Sequence, residues 1–315
     1  MNIEAGTALV TGASSGIGAA YARQLAARGH DLILSARRQD RLDALAQQLR
    51  AAHGCKVEVW PADLANPHDL LRLEEALSTW EDIAMLVNCA GLGALGPGAT
   101  ADADAVDRMV KVNVLALTRL SLAAARAFAR RQRGVIVNIG SILALMPVPG
   151  ASGYSASKAY VLNFSRALQA ELEPAGVTVQ AVMPSMVRSE FFGGKPAPFP
   201  EHLFMEADTL VATALRALDQ GERVCFPTLS DPAGWSGLEA ARGALVKALT
   251  HSGEPAARYG VAPARRPHPP PPRASPCRSG SPTTPATPSP SPTLRPSPRP
   301  TTPSTPPCTT SLAAT

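Results

Sequence analysis

Tyr154 and Lys158 stand four residues apart in the run Tyr154-Ser155-Ala156-Ser157-Lys158. On an α-helix that interval puts both side chains on one face, about one turn apart. A phenol beside an ammonium can do acid–base work that neither does alone. The positive charge favours phenolate and draws the tyrosine pKa from about 10 toward neutrality. A group so tuned gives a proton to a carbonyl oxygen or takes one from an alcohol. The same pair also occurs on helices with no chemistry, so its meaning rests on what else the chain brings.

A second constellation lies near the start of the chain, in Thr11-Gly12-Ala13-Ser14-Ser15-Gly16-Ile17-Gly18. Its glycine spacing is G-x-x-x-G-x-G. It follows a strand-like run and opens a helical pattern. Glycines there let the backbone turn tightly and approach a pyrophosphate, which sits on the positive helix N-terminus. Gly12, Ser14, Ser15, Gly16, Ile17 and Gly18 are the candidates for this contact; the bland alternative is a glycine-rich turn with no ligand. The second strand-like run ends Leu34-Ser35-Ala36-Arg37-Arg38. A carboxylate at that place would hold the ribose hydroxyls of NAD and repel a 2′-phosphate. Two arginines stand there instead, and guanidinium pairs well with phosphate. Arg37 and Arg38 therefore point to NADP(H) over NAD(H), unless they merely cap a solvated loop.

The elements that must position these residues alternate along the chain. Strands are expected at Thr7–Val10, Asp31–Ser35, Lys56–Trp60, Ile83–Val87, Gly134–Ile139, Val177–Val182 and Arg223–Phe226. Several are β-branched and apolar throughout, as strands buried on both faces should be. Helices are expected at Ile17–Arg28, Arg41–Ala52, Asp69–Thr79, Ala105–Arg131, Tyr154–Leu172 and Asp208–Gln220, with a short one at Leu238–Leu249. Such alternation implies an α/β, Rossmann-type, doubly wound parallel sheet of about seven strands flanked by helices. Asp63 and Leu64 then follow the third strand, where an adenine would lie. Asn88-Cys89-Ala90-Gly91 ends the fourth, where small residues let the backbone run beneath a cofactor.

Length and charge bound the partners. The 315 residues include 45% hydrophobic and 17% charged, with a net charge of +5. Six arginines and no acid fall within residues 264–315, which leaves residues 1–263 at about −1. The folded part therefore carries no phosphate-backbone surface, and no nucleic-acid partner is expected. Five scattered cysteines without CxxC spacing read as reduced thiols in a cytoplasmic protein, not as a metal site or a disulfide framework. There is no charged segment followed by an apolar one at the N-terminus, and no apolar run approaches the ~18 residues of a membrane span, so no span is expected.

The catalytic domain is expected over residues 1–253 and a tail over 254–315. Seventeen of the last 52 residues are proline, and serine and threonine fill much of the rest. Such a segment buries too little apolar surface to offset chain entropy and reads as disordered. Pro282, Pro285 and Pro288 have the spacing that docks an SH3-like groove. The abrupt join also fits a coding frame read out of phase.

These marks together resemble the short-chain dehydrogenase/reductase family. They are Thr11-Gly12-x-x-x-Gly16-x-Gly18, Asn88-Cys89-Ala90-Gly91, Asn113, Ser141, Tyr154-x-x-x-Lys158 and Pro184-Ser185, in the family's order and about its spacings, over roughly residues 5–250. The resemblance implies that Tyr154 is the catalytic acid/base. It implies that Lys158 depresses the Tyr154 pKa and bonds the nicotinamide ribose. Ser141 would polarise the substrate oxygen, and Asn113 would hold a water that links Lys158 to solvent. Cofactor contacts carry over to Asn88, Ala90, Gly91, Pro184, Val187 and Ser189. Two departures stand out. Cys89 replaces a second asparagine, and Ser185 replaces a glycine, which costs backbone freedom if that position needs positive φ. The resemblance also implies dimers or tetramers formed through the helices that carry Asn113 and Tyr154.

The substrate site is expected between a Gly/Ala-rich wall at 91–98, an apolar wall at 143–150, and a lid with Phe191, Phe192, Phe199, His202, Leu203 and Phe204. That favours an apolar or aromatic carbonyl or alcohol, with Arg188 and Lys195 able to recruit a carboxylate. The reaction expected is hydride transfer between nicotinamide and that substrate. The competing reading is a non-catalytic NADP(H)-binding sensor or scaffold whose tail recruits partners.

Overall fold

The computed structural model describes residues 5–190 and 199–261. The tail from 262 onward and the expected lid residues Phe191, Phe192 and Lys195 lie outside the described residues. Contacts group the chain into two compact units, Met1–Gly243 and Ala244–Thr315.

The first unit is built on a parallel sheet. Its strands are β1 Thr7–Thr11, β2 Asp31–Ala36, β3 Val57–Pro61, β4 Ile83–Asn88, β5 Gly134–Ile139, β6 Val177–Val182 and β9 Val224–Cys225. Their order in space is β3-β2-β1-β4-β5-β6-β9, every pair parallel. The chain winds outward one way from β1 and then the other way from β4, so the carboxyl ends of β1 and β4 part and leave a crevice. Side chains alternate across the strands, which divides the core in two. Ala8 and Val10 of β1 and Leu32 and Leu34 of β2 pack under α1 (Gly16–Ala27), α2 (Gln39–His53) and α7 (Ala207–Asp219). Leu9 and Ile33 pack on the other face under α3 (Pro67–Thr79), α5 (Leu117–Arg131) and α6 (Ser152–Leu172).

The stretch expected as one helix over Ala105–Arg131 is divided. α4 spans Ala103–Val110, a π-helical segment spans Lys111–Ala116, and α5 continues from Leu117. No proline or glycine marks the change. The widened turn sets Asn113 against Leu92, whose N–H and C=O both bond the asparagine amide. A local rule could not foresee a bulge fixed by a residue 21 positions away. Taken whole, Ala103–Arg131 is also long and apolar enough by length and composition to cross a membrane, which a search for unbroken apolar runs does not register. Its apolar window is 61% buried within the protein, against the sheet and α3, as a core helix is.

Two short strands were not expected. β7 (Met186–Arg188) and β8 (Phe204–Glu206) pair in parallel to make a second, two-stranded sheet beyond the end of β6. Three-residue strands carry too little periodicity to show in sequence. The final strand is also shorter than the Arg223–Phe226 expected. α8 (Ala233–Leu249) follows it. Among its described residues, the second unit keeps Leu245, Val246 and Leu249 exposed and holds a 3-10 turn at Ala257–Tyr259.

Candidate active site

The turn after β1 is shaped by two close approaches. Gly12 has φ of +67°, and a Cβ there would meet the Ala90 backbone at 2.9 Å. A Cβ on Gly18 would lie 2.3 Å from the Gly12 carbonyl oxygen. Only glycine permits either. The Thr11 hydroxyl ties the same turn to the end of β4: it accepts from Cys89 N–H and Ala90 N–H, each at 3.1 Å, and donates to the Val87 carbonyl at 3.3 Å. α1 then begins at Gly16 with Ser15 as N-cap, no side-chain cap bond and no acid in its first turn. Among the described residues no side chain caps its first N–H groups, which suits a phosphate.

Beside them Arg38 donates to Ser15 Oγ at 2.8 Å and to Ser14 Oγ at 3.1 Å. Its remaining nitrogen donates to Glu190 Oε2 at 2.6 Å, and Arg41 donates to Glu190 Oε1. Asp63 accepts from Arg108 at 2.6 Å and, through its other oxygen, from Ala65 N–H at 3.1 Å. Gly12, Arg37, Arg38, Asp63, Leu64, Ala90, Gly91, Pro184, Val187 and Ser189 all border one cleft of about 930 Å³, which runs on to Ser141, Tyr154 and Lys158. That size and lining, with the bare helix end and the glycine turn, fit a dinucleotide.

Asn88 lies elsewhere. It is 3% exposed and sits below the cleft floor, donating to Asn138 Oδ1 at 2.9 Å and Ser121 Oγ at 3.0 Å. Asn138 in turn donates to Ser165 Oγ at 3.0 Å, so a chain of amides and hydroxyls joins β4, β5, α5 and α6. Ser185 is not strained: among the described residues the one non-glycine with positive φ is Gln132.

Tyr154 and Lys158 share the first turns of α6, and the Lys158 ammonium stands 5.6 Å from the centre of the Tyr154 ring. The Tyr154 hydroxyl is hydrogen-bonded to Ser141, which caps the 3-10 turn after β5 through Leu143 N–H at 3.2 Å. Lys158 Nζ donates to the Ile139 carbonyl at 2.8 Å. Burial pushes the Tyr154 phenol up to about 12, with only the Ser141 bond working against it. Burial also pushes Lys158 down to about 8. The expected depression of the phenol by the lysine is thus overturned in the protein alone. Spacing along the helix carries the attraction of the charge but not the desolvation of both groups.

Asn113 is buried at the π-helical turn. Its Oδ1 accepts from Leu92 N–H at 2.8 Å, and its Nδ2 donates to the Leu92 carbonyl at 2.9 Å and to Ser157 Oγ at 3.3 Å. A Cβ on Gly91 would fall 3.6 Å from Asn113 Oδ1 and 3.9 Å from Lys158 Nζ, so this glycine keeps open the space between them.

Leu92, Leu95, Ile142, Leu143, Val148 and Phe199 wall the end of the cleft around Tyr154. His202, Leu203 and Phe204 fall in the following turn and β8 and do not line it. Arg188 does not serve as a carboxylate receptor. Its guanidinium bonds Glu206 at 2.6 Å and Glu201 at 2.8 Å. Sequence reasoning missed Thr11, Arg41, Leu92, Arg108 and Glu190. Thr11 stood in the glycine motif and was legible there. The others act through contacts that only the fold creates.

The short chain dehydrogenase family model matches residues 6–197. A very-long-chain 3-oxoacyl-CoA reductase from Anas platyrhynchos is 36% identical over 188 residues, which are 58% of this chain and 60% of that protein. The chain therefore spans less than two thirds of the length of that relative. A short-chain dehydrogenase from Sphingobium yanoikuyae, solved in complex with NADPH, is 44% identical with a TM-score of 0.78, covering 81% of this chain and all of that one. A bulky-bulky ketone specific alcohol dehydrogenase from Comamonas testosteroni is 40% identical with a TM-score of 0.74, covering 81% of this chain and 98% of that one.

Proposed function

The chain belongs to the short-chain dehydrogenase family, and from that premise we propose that it is an NADP(H)-dependent oxidoreductase reducing a ketone flanked by bulky apolar groups. The observation that carries the reading is the meeting of the Ser141–Tyr154 pair and Lys158 with the glycine turn in one cleft whose far end is apolar. The NADPH-bound neighbour supports the cofactor. The acyl-CoA reductase and bulky-ketone relatives support a lipid-like or otherwise bulky substrate. Reduction is favoured because cells keep NADP(H) pools largely reduced.

In this reading Gly12, Ser14, Ser15, Gly16, Ile17 and Gly18 seat the pyrophosphate at the start of α1. Arg37 and Arg38 face the adenosine 2′-phosphate, and Asp63 and Leu64 border the adenine. Ala90, Gly91, Pro184, Val187 and Ser189 flank the nicotinamide half, and Asn88 supports that floor from below. NADPH, when bound, supplies the hydride. Ser141 and Tyr154 hold the substrate carbonyl oxygen by two hydrogen bonds, where negative charge develops. Tyr154 breaks its O–H bond and gives the proton to that oxygen, leaving the alcohol and a phenolate. A phenol at about 12 stays protonated through the working range and is ready as the acid. The Lys158 ammonium then stabilises the phenolate. Asn113, with the space kept open by Gly91, sets the route by which a proton returns.

We also read Leu115 and Leu122 on the Asn113-bearing helical stretch and Tyr160 on α6, each more than a third exposed, as a face for a second copy. The test of the chemistry is turnover of bulky apolar ketones with NADPH and with NADH. The expected outcome is activity that Tyr154→Phe lowers at least about a hundredfold while NADPH still binds. Cofactor binding without turnover of any such ketone would instead favour the sensor. A kcat/KM preference for NADH would sink the cofactor reading.

A further inference from the structure

The cleft holds a carboxylate that the hydride chemistry does not use. Glu190 follows β7 and reaches across to the start of α2, 152 positions from Arg38 in sequence. Its Oε2 accepts from Arg38 Nη1 at 2.6 Å, and its Oε1 accepts from Arg41. The other face of the Arg38 guanidinium is spent on Ser14 and Ser15. Two arginines converge there just past the end of β2, against Ser14 and Ser15, which is where the adenosine end of a bound NADP(H) would present its 2′-phosphate. Hydrogen bonds from Arg41 and Arg38 hold the Glu190 carboxyl down at about 2, so it stays ionised at every physiological pH.

Resting on the NADP(H) reading above, we propose that Glu190 competes with the 2′-phosphate for Arg38 and Arg41 and so sets how strongly the chain prefers NADP(H) over NAD(H). The end of β2 lacks the carboxylate that would read a ribose diol. The fold supplies one from the far side of the cleft. A phosphate takes the arginines only by displacing an anion already on them, which weakens NADP(H). NAD(H) displaces nothing, since its 2′-hydroxyl can donate to the same carboxylate. Both ion pairs are about half exposed, so each contributes little and the effect is moderate. Removing the carboxylate should tighten NADP⁺ about fivefold.

The experiment is calorimetric titration of the wild-type chain, Glu190→Gln, Glu190→Ala and Arg38→Ala with NADP⁺, NAD⁺ and 2′,5′-ADP. Thermal melts check that each variant folds. The expected result is that both Glu190 variants bind NADP⁺ and 2′,5′-ADP about fivefold tighter, with NAD⁺ unchanged or weaker. Unchanged or weaker binding of NADP⁺ overturns the proposal; weaker binding would make Glu190 a clamp that positions the arginines. The parent reading is judged separately, on the wild-type Kd ratio and on Arg38→Ala. If Arg38→Ala weakens NADP⁺ while the Glu190 variants change nothing, the competition fails and the phosphate site stands. If the wild type binds NAD⁺ more tightly and Arg38→Ala leaves NADP⁺ unchanged, both fail.

Discussion

Lys158 keeps an ammonium buried at a cost in stability. The side chain is 6% exposed and has one carbonyl partner, Ile139. Burial holds its pKa near 8 against an ordinary 10.5. Between those values the unfolded chain binds more protons than the folded one, so folding stability rises with pH across the window, by up to about 3 kcal/mol. Tyr154, raised to about 12, works the other way above pH 10. Lys158→Met should therefore unfold at higher urea than the wild type at pH 7.5, and the gap should narrow at pH 9.5. Equal gaps at the two values would show that the lysine is not carrying a buried charge. The same variant should lose turnover, because the phenolate left by Tyr154 would have no cation beside it.

The elements matter mainly by where they end. β1, β4 and β5 stop at one level, and the turns that leave them carry Gly12, Ala90 and Ser141 into the cleft. The amide chain through Asn88 and Asn138 ties the ends of β4 and β5 inside the sheet–helix interface, and the Thr11 hydroxyl ties β1 to β4. Both Asn88 N–H groups and both sides of Asn138 are bonded, while Asn88 Oδ1 has no partner among the described residues; each further buried amide group left unpaired costs about 1–3 kcal/mol. Asn138→Ala should lower the urea unfolding free energy by at least about 2 kcal/mol, since Asn88 and Ser165 each lose a bond. It should also raise the KM for NADPH, because Ala90 and Gly91 follow directly from Asn88. A variant as stable as the wild type would show that water replaces the amide and that the network is not a brace.

At the scale of the whole molecule, the residues assigned to the site fall between Thr11 and Phe199, all within the unit Met1–Gly243. A chain ending at Pro263 should keep the thermal midpoint of the full chain and bind NADPH within about twofold of its Kd. The face marked by Leu115, Leu122 and Tyr160 should hold it as a dimer or larger in light scattering. A monomer would remove the self-association reading. A lost Kd would mean that the proline-rich segment reaches the cofactor.

Fold class, the seven sheet strands and the sharing of one helix by Tyr154 and Lys158 were legible because they rest on local regularities. Strands buried on both faces are continuously apolar, helices repeat every 3.6 residues, and a glycine turn must follow a strand and open a helix wherever it binds phosphate. The α/β winding and the placing of Tyr154 over Lys158 on one helix face could therefore be read from the residues alone. The rest came from the packing of distant segments. It fixed the π-helical turn that sets Asn113 against Leu92, the pairing of β7 with β8, and the loss of Arg188 to Glu201 and Glu206. It also brought Glu190 onto Arg38 and raised the Tyr154 phenol where spacing had predicted a fall. Each of these depends on groups far apart in the chain, or on how much water the fold removes from a charge. Neither distance across the fold nor desolvation is written in the spacing of residues along a chain.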